Sequence, residues 1–213
     1  MIGAALLLTA CATVPANDRS AFRESRPRSI LIMPPINRSP DINAPAVFLA
    51  TAARPLAEAG YYVIPVALST ETFRQNGITV AEQAHAISPY RLREIFGADA
   101  ALYITITRFG PTFYGFASVI EAWATAKLVD LRSGQLLWSG EVRESQTSHR
   151  RRGGTSHFSH LLAIVFVAAV DQVLNTVFDT SFDVGRQANH HLLSAGRRDS
   201  ILFGPYHPRF GTD

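Results

Sequence analysis

Apolar and polar positions along the chain change period from one block to the next. SILIMPP, Ser29 to Pro35, is a short apolar run stopped by two prolines, which predicts a buried first strand. The polar loop INRSPDINAP follows. From Pro45, AVFLATAARPLAEAG predicts a helix to Gly60, with Pro45 at its start and Gly60 as its C-cap. Pro55 should kink that helix or divide it near Arg54. YYVIPVAL, Tyr61 to Leu68, predicts a second strand, and strand–helix–strand implies a parallel pair with a right-handed crossover. Residues 69–97 predict two or three short helices, with Ser69, Thr79 and Ser88 as N-caps.

AALYITITRF, Ala100 to Phe109, alternates cleanly. Leu102, Ile104 and Ile106 point one way and Tyr103, Thr105 and Thr107 the other, so one face of this strand is buried. Phe113 to Asp130 predicts one long strand, straight or bulged. Its even positions Ile120, Ala122, Ala124, Ala126 and Leu128 form the core face, and the alanines leave room for a close helix. Its odd positions, Glu121, Thr125 and Lys127, belong to the other face. QLLWSGEVRES follows with Leu136, Trp138, Gly140 and Val142 on its apolar face. A three-residue loop, Arg132-Ser133-Gly134, pairs Leu128 with Trp138 and Ala124 with Val142. A two-residue loop would set core residues opposite solvent residues. Gly134 supplies the left-handed residue that a three-residue hairpin loop requires.

HRRRGGTSH, His149 to His157, reads as a glycine-bearing loop before a long helix, SHLLAIVFVAAVDQVLNTVFDTSFD. Residues 161–170 are apolar all round, and the pattern turns amphipathic from Asp171. Ten such residues are too few to span a bilayer. Their wide apolar face must be covered either within the domain or by another subunit, which makes Leu161, Leu162, Val165, Phe166 and Ala169 candidate interface residues. A last helix is expected near Asp183 to Ser194, and the tail ILFGPYHPRFGTD is expected along the surface. The order βαβ, short helices, three consecutive strands and two helices predicts one α+β domain over 29–213. Its sheet is mixed, ends in an antiparallel meander, and carries helices on its faces.

Composition narrows the function classes. Apolar residues are 47% and charged residues 17% of the 213, a globular balance. The charge is only +3, and the pI of about 9.3 reflects arginine, since Lys127 is the sole lysine. No dense basic stripe is present, so no nucleic-acid partner is expected. The single cysteine excludes an internal disulfide framework and any CxxC motif.

That cysteine lies behind IGAALLLTA, residues 2–10, an uncharged run of secretory-signal length. Leu8, Thr9, Ala10 and Cys11 have the form of a lipobox: small residues let a signal peptidase grip an extended backbone, and the thiol takes up diacylglycerol. The front of the chain therefore resembles a bacterial lipoprotein precursor. Residues 1–10 carry no Lys or Arg, so the signal is expected to begin upstream of Met1. Residues 11–28 would be the lipidated cysteine and a flexible tether whose 17 residues after Cys11 span roughly 20–25 Å. Ala12, in place of a retention Asp, directs the protein to the periplasmic face of the outer membrane. Several acyl chains on Cys11 would hold it there without a transmembrane helix.

No phosphate-binding, dinucleotide-binding, zincin or nucleophile-elbow motif is present. His157 and His160 have possible ligand spacing. His190 and His191 are adjacent and would not face one way on a helix. Neither pair has a cysteine or an acidic neighbour, so surface histidines are the simpler reading, and no metal or cofactor is expected. Asp41, His160 and a serine can be assembled into a triad only on paper. Arg150, Arg151 and Arg152 are the densest charge. They are either a solvated loop or a contact for anionic headgroups or an acidic partner. Tyr114 and Phe116 are candidate exposed aromatics.

The stretches MPPINRSPDINAP, RPLAEAGYYVIPVAL, FRQNG, FGADAALYITI, AKLVDLRSGQLLW and FGPYHPRFG together resemble a family of bacterial lipoproteins of unknown function, known from a neisserial surface-antigen candidate. The resemblance spans roughly 29–210. It implies a fold similar to the amino-terminal domain of TolB and to the periplasmic domain of curli-secretion (CsgG-like) lipoproteins, a lipobox cysteine, and no catalytic residues. It also implies a shared complex with a CsgG-like lipoprotein. The function expected is a non-catalytic structural or accessory subunit of an outer-membrane assembly, oligomeric and lipid-anchored, for secretion or a surface organelle. A periplasmic hydrolase of envelope polymers is the alternative.

Overall fold

The computed structural model describes residues 19–114, 117–148 and 180–213. Among them run helix α1 (Ser20–Ser25), strands β1 (Ser29–Ile32) and β2 (Ile36–Asn37), helix α2 (Ala44–Glu58), strand β3 (Tyr62–Val63) and helices α3 (Val66–Gln75), α4 (Ala81–His85) and α5 (Pro89–Phe96). Strands β4 (Ala100–Tyr114), β5 (Ala117–Asp130) and β6 (Leu136–Ser148) follow, and residues 180–193 are helical (α6). The sheet order is β3-β1-β4-β5-β6, with β2 also on β4. β1 is parallel to both β3 and β4, whereas β4, β5 and β6 form the antiparallel meander. The fold is the expected α+β class, a mixed sheet with helices on both faces.

β1 explains why both faces are covered. Ile30 and Ile32 join a core with α2, α6 and the carboxyl-terminal tail, while Leu31 and Met33 join a second core with Phe73 of α3, Ala84 of α4 and Leu92 of α5. The side chains of Ile30, Leu31 and Ile32 of β1, and of Met33 just after it, are essentially inaccessible. A strand with no solvent face carries an unbroken apolar run, as SILIM does.

The meander keeps its expected register from Leu128 inward, but it shifts between Leu128 and Val129, so that Val129 pairs with Leu136 and it is Leu137, not the expected Leu136, that is buried. Leu128 pairs with Trp138 and Ala124 with Val142, and Gly134 turns the loop at φ +74°. Ile120, Ala122, Ala124, Ala126 and Leu128 are all buried. The turn is further clamped by Asp130, whose Oδ1 accepts from the N–H groups of Arg132 and Ser133, each at 2.7 Å. Its other oxygen accepts from Ser25 Oγ, tying the turn to α1.

Several elements depart from the sequence reading. Phe113–Asp130 is not one strand: β4 continues to Tyr114 and β5 starts at Ala117, paired from Tyr114↔Ala117 inward. A bulge between Ile106 and Arg108 changes the phase of β4, so that Phe109 pairs with Ala122 on the core face and Arg108 pairs with Trp123 on the other. The second strand shrinks to Tyr62–Val63, since helix α3 begins at Val66. Ser69 and Thr79 are consequently not caps. Ser69 lies buried inside α3, and Val80 precedes α4, whereas Ser88 does accept the N–H of Arg91 as a cap. α2 runs unbroken through Pro55, which is buried in it. Part of the expected tether is folded: α1 occupies 20–25 and Phe22 enters the core.

Buried polar and glycine contacts set the helix and tail positions. Asn189 of α6 is fully buried and donates to the Phe48 carbonyl (2.8 Å) and to Thr51 Oγ1 (2.7 Å), cross-linking α6 to α2. A Cβ at Gly185 would stand 2.6 Å from Val47 Cγ1 and 3.0 Å from Phe109 Cε2, so a bare glycine is what allows this approach. The tail lies along the surface only from Pro205 on; its first four residues are buried. Ile201, Leu202 and Phe203 are buried, Tyr61 donates its hydroxyl proton to the Leu202 carbonyl (2.7 Å), and Gly204 N–H donates to Ala59 O (2.7 Å). A Cβ on Gly204 would meet the Gly60 carbonyl oxygen at 2.3 Å. Gly204→Ala is therefore expected to lower stability by about 1–3 kcal/mol through overpacking against backbone. Urea unfolding measures the loss, and hydrogen exchange at the Gly204 and Tyr206 amides should show it concentrated in the tail.

Candidate functional site

The residues singled out by sequence mostly lie outside the described residues: Leu8, Thr9, Ala10 and Cys11, Arg150 to Arg152, His157 and His160, and Leu161, Leu162, Val165, Phe166 and Ala169, as does Phe116. Tyr114 ends β4. Asp41 lies in the β2–α2 loop, where its Oδ1 accepts the Asn43 N–H at 2.8 Å. His190 and His191 are exposed on α6, and His191 Nδ1 contacts the Glu144 carboxylate of β6. No group of three or more His, Cys, Asp or Glu side chains suited to a metal occurs among the described residues. No described helix is long and apolar enough to cross a membrane.

The structure assembles polar groups that the linear pattern leaves apart. On the outer face of the meander, the bulge places Arg108 over the Trp123 ring at 4.4 Å, and Arg143 of β6 lies over the same ring at 5.3 Å. Glu121, expected among solvent-facing positions, is only 5% exposed. It receives Arg108 Nη1 at 3.1 Å and Thr112 Oγ1 at 2.8 Å. No local signal in the sequence marks Glu121 as buried, because its partners depend on the β4 bulge.

A second assembly is the cleft between α1 and the tail. Arg26, Pro205 and Phe210 line two adjoining chambers. The smaller, about 190 Å³, is walled by Phe22, Tyr61, Leu202 and Phe203. The larger, about 460 Å³, carries Arg26, Arg28 and Arg132 beside Glu24 and Asp99. Asp99 is already engaged: its Oδ2 accepts from the backbone N–H groups of Arg28 (2.9 Å) and Ser29 (3.3 Å), and its Oδ1 lies 3.9 Å from Arg132 Nη2. Arg23 Nη2 donates to the Asp213 backbone oxygen (2.9 Å) at the rim. Burial pushes the Tyr61 phenol pKa far up, helped by the Asp213 carboxylate, so Tyr61 acts here as a neutral donor. Burial also raises the Asp130 carboxyl, but the hydrogen bonds from Ser25, Ser133 and Arg132 outweigh it and leave the pKa lowered.

The chain belongs to the lipoprotein family described as "Putative lipoprotein GNA1162-like", whose profile matches residues 17–206. It is 43% identical over 206 residues to the "Putative lipoprotein NMB1124/NMB1162" of Neisseria meningitidis serogroup B, covering 96% of this chain and 93% of that protein. Its fold is similar to the crystal structure of lipoprotein GNA1162 from Neisseria meningitidis, at 46% identity and a TM-score of 0.55, over 70% of this chain and 99% of that one.

His85 of α4 supplies a pH-dependent contact. Its Nε2 lies 2.8 Å from the Pro34 carbonyl, which selects the Nε2–H tautomer, and its ring meets Tyr103 edge-on at 5.0 Å. Burial lowers its pKa below the ordinary 6.5, against the opposing pull of the Pro34 carbonyl and Glu82. The unfolded state then binds the proton more readily. The contribution is whole above the unfolded value and falls away as pH drops below it. Thermal midpoints from about pH 7.5 to about pH 5.5 should decline more steeply for the wild type than for His85→Gln, which keeps a donor but cannot titrate.

Proposed function

We propose that the protein is a lipid-anchored, non-catalytic accessory subunit of an assembly at the periplasmic face of the bacterial outer membrane. The observation that carries this reading is Cys11 behind Leu8-Thr9-Ala10 in a chain that belongs to a lipoprotein family. In this reading residues 1–10 are a signal, Cys11 carries the acyl chains, and residues 12–19 link them to the folded domain. Absence of an Asp after Cys11 supports outer-membrane sorting. A non-catalytic role is supported by how the described carboxylates are used: Asp130 clamps a turn, Asp99 holds the start of β1, and Glu121 joins Arg108 within the sheet.

The assembly is expected to contain further copies of the chain, meeting through Leu161, Leu162, Val165, Phe166 and Ala169, and a CsgG-like lipoprotein as a second partner. Arg150 to Arg152 would contact headgroups or that partner.

Metabolic labelling with radioactive palmitate tests the anchor. The wild type should incorporate label and fractionate with outer membranes, while Cys11→Ser should do neither. Label on the Ser variant, or a wild type released into the soluble periplasm, overturns the reading. Native mass measurement after mild detergent extraction tests the assembly. An oligomer is expected, and a double change of Val165 and Phe166 to Asp should reduce it to a single chain without loss of folding. A wild-type single chain without a co-extracted partner overturns the subunit role.

A further inference from the structure

The α1–tail cleft carries more cations than the fold pairs with carboxylates. Among the described residues, neither the Arg26 nor the Arg28 guanidinium has an ion-pair partner. Arg132 touches only the already occupied Asp99, at 3.9 Å. Three arginines thus line one chamber against two carboxylates, Glu24 and Asp99, and Asp99 is already taken up by backbone N–H groups, which leaves the chamber an excess of positive charge. Through Arg26, Pro205 and Phe210 that chamber opens onto the apolar one. Cationic and apolar chambers side by side fit an amphiphile with an anionic head.

Arg26 is placed there against its backbone preference. It caps α1 at φ 45°, ψ 55°, and is the only non-glycine residue with positive φ among those described. Glycine adopts this conformation freely, whereas a side chain there is strained. Its Nε is steadied by the Arg23 carbonyl at 3.2 Å. Helix capping alone would be better served by glycine, so the strain points to the guanidinium as the selected feature.

Position selects the ligand's source. α1 begins at Ser20, nine residues after Cys11, a reach of at most about 30 Å. An anchored Cys11 keeps a bilayer surface within that distance of the start of α1, the helix that forms one wall of the cleft. We propose that the cleft binds the phosphate of an anionic phospholipid among Arg26, Arg28 and Arg132, with the adjoining glycerol and first methylenes against Pro205 and Phe210. This rests on the anchoring reading only for the proximity of the bilayer. The site would orient the domain on the membrane, with α1 and the tail facing the lipid.

The test uses the full chain with Cys11→Ser, so that no acyl chain contributes, in co-sedimentation with phosphatidylglycerol or phosphatidylcholine vesicles. Preferential binding to phosphatidylglycerol is expected, weakening with salt. R26G, R28Q and R132Q should each lose roughly fivefold in affinity and the triple variant about 100-fold, as expected for basic residues at an anionic surface. R26G relieves the strained cap, so its thermal midpoint should match or exceed that of its parent, and its binding loss cannot be unfolding. Equal sedimentation with both vesicles, or a triple variant that binds like its parent, overturns the proposal. Thermal stabilisation by glycerol 1-phosphate without vesicle binding assigns the cleft to a soluble phosphate compound and overturns the lipid source. Failure of the anchor appears separately, as absence of palmitate on the wild-type protein in cells.

Discussion

β1 has no solvent face, and the rest of the architecture follows from that constraint. Ile30 and Ile32 require one helical layer, Leu31 and Met33 another. Burying a large aliphatic side chain contributes about 1.5–3 kcal/mol, so a bare sheet face at β1 would be costly. α2, α6 and the tail cover one side, and α3, α4 and α5 cover the other. The antiparallel meander is held to this centre through β4, whose first residues, Ala100 to Leu102, pair with β1.

The two layers differ in kind. α3, α4 and α5 are short, sequential and joined by tight connections, so they form from local signals. The opposite layer joins segments far apart in the chain. Tyr61 meets Leu202 and Asn189 meets Phe48 across 141 residues each, and Ser25 meets Asp130 across 105. The first two contacts are polar and buried and the third is half-buried; in such places a lost partner costs more than a made bond gains. The Tyr61–Leu202 and Ser25–Asp130 contacts also hold the α1–tail cleft, whose walls come from residues 22–28, Tyr61, Asp99, Arg132 and the tail.

Local physics was legible in the sequence. Period-2 alternation located the core faces of β4, up to Ile106, and of β5, and the pairings of Leu128 with Trp138 and Ala124 with Val142 were legible, although the connection spans 131–135 and the register shifts after Leu128. Ser88 before Pro89 marked the start of α5. The linear pattern around Cys11 pointed to a lipoprotein, and the chain does belong to a lipoprotein family, by a match over residues 17–206. Each of these depends on residues a few positions apart.

Tertiary structure decided the rest. The bulge near Thr107 moves Phe109 into the core and Arg108 onto Trp123, and buries Glu121, because cross-strand partners rather than neighbours in sequence determine the phase. The tail looks like surface by its prolines and glycines, yet Gly204 is small so that backbone can rest on Gly60. Arg26, Arg28 and Arg132 are unremarkable in sequence, and they line one chamber only because the β5–β6 turn is clamped to α1 by Asp130. Periodicity and turn chemistry are properties of short segments and survive in the linear chain. Bulge phase, close backbone approach and charge convergence arise from distances between remote residues, which only the folded molecule sets.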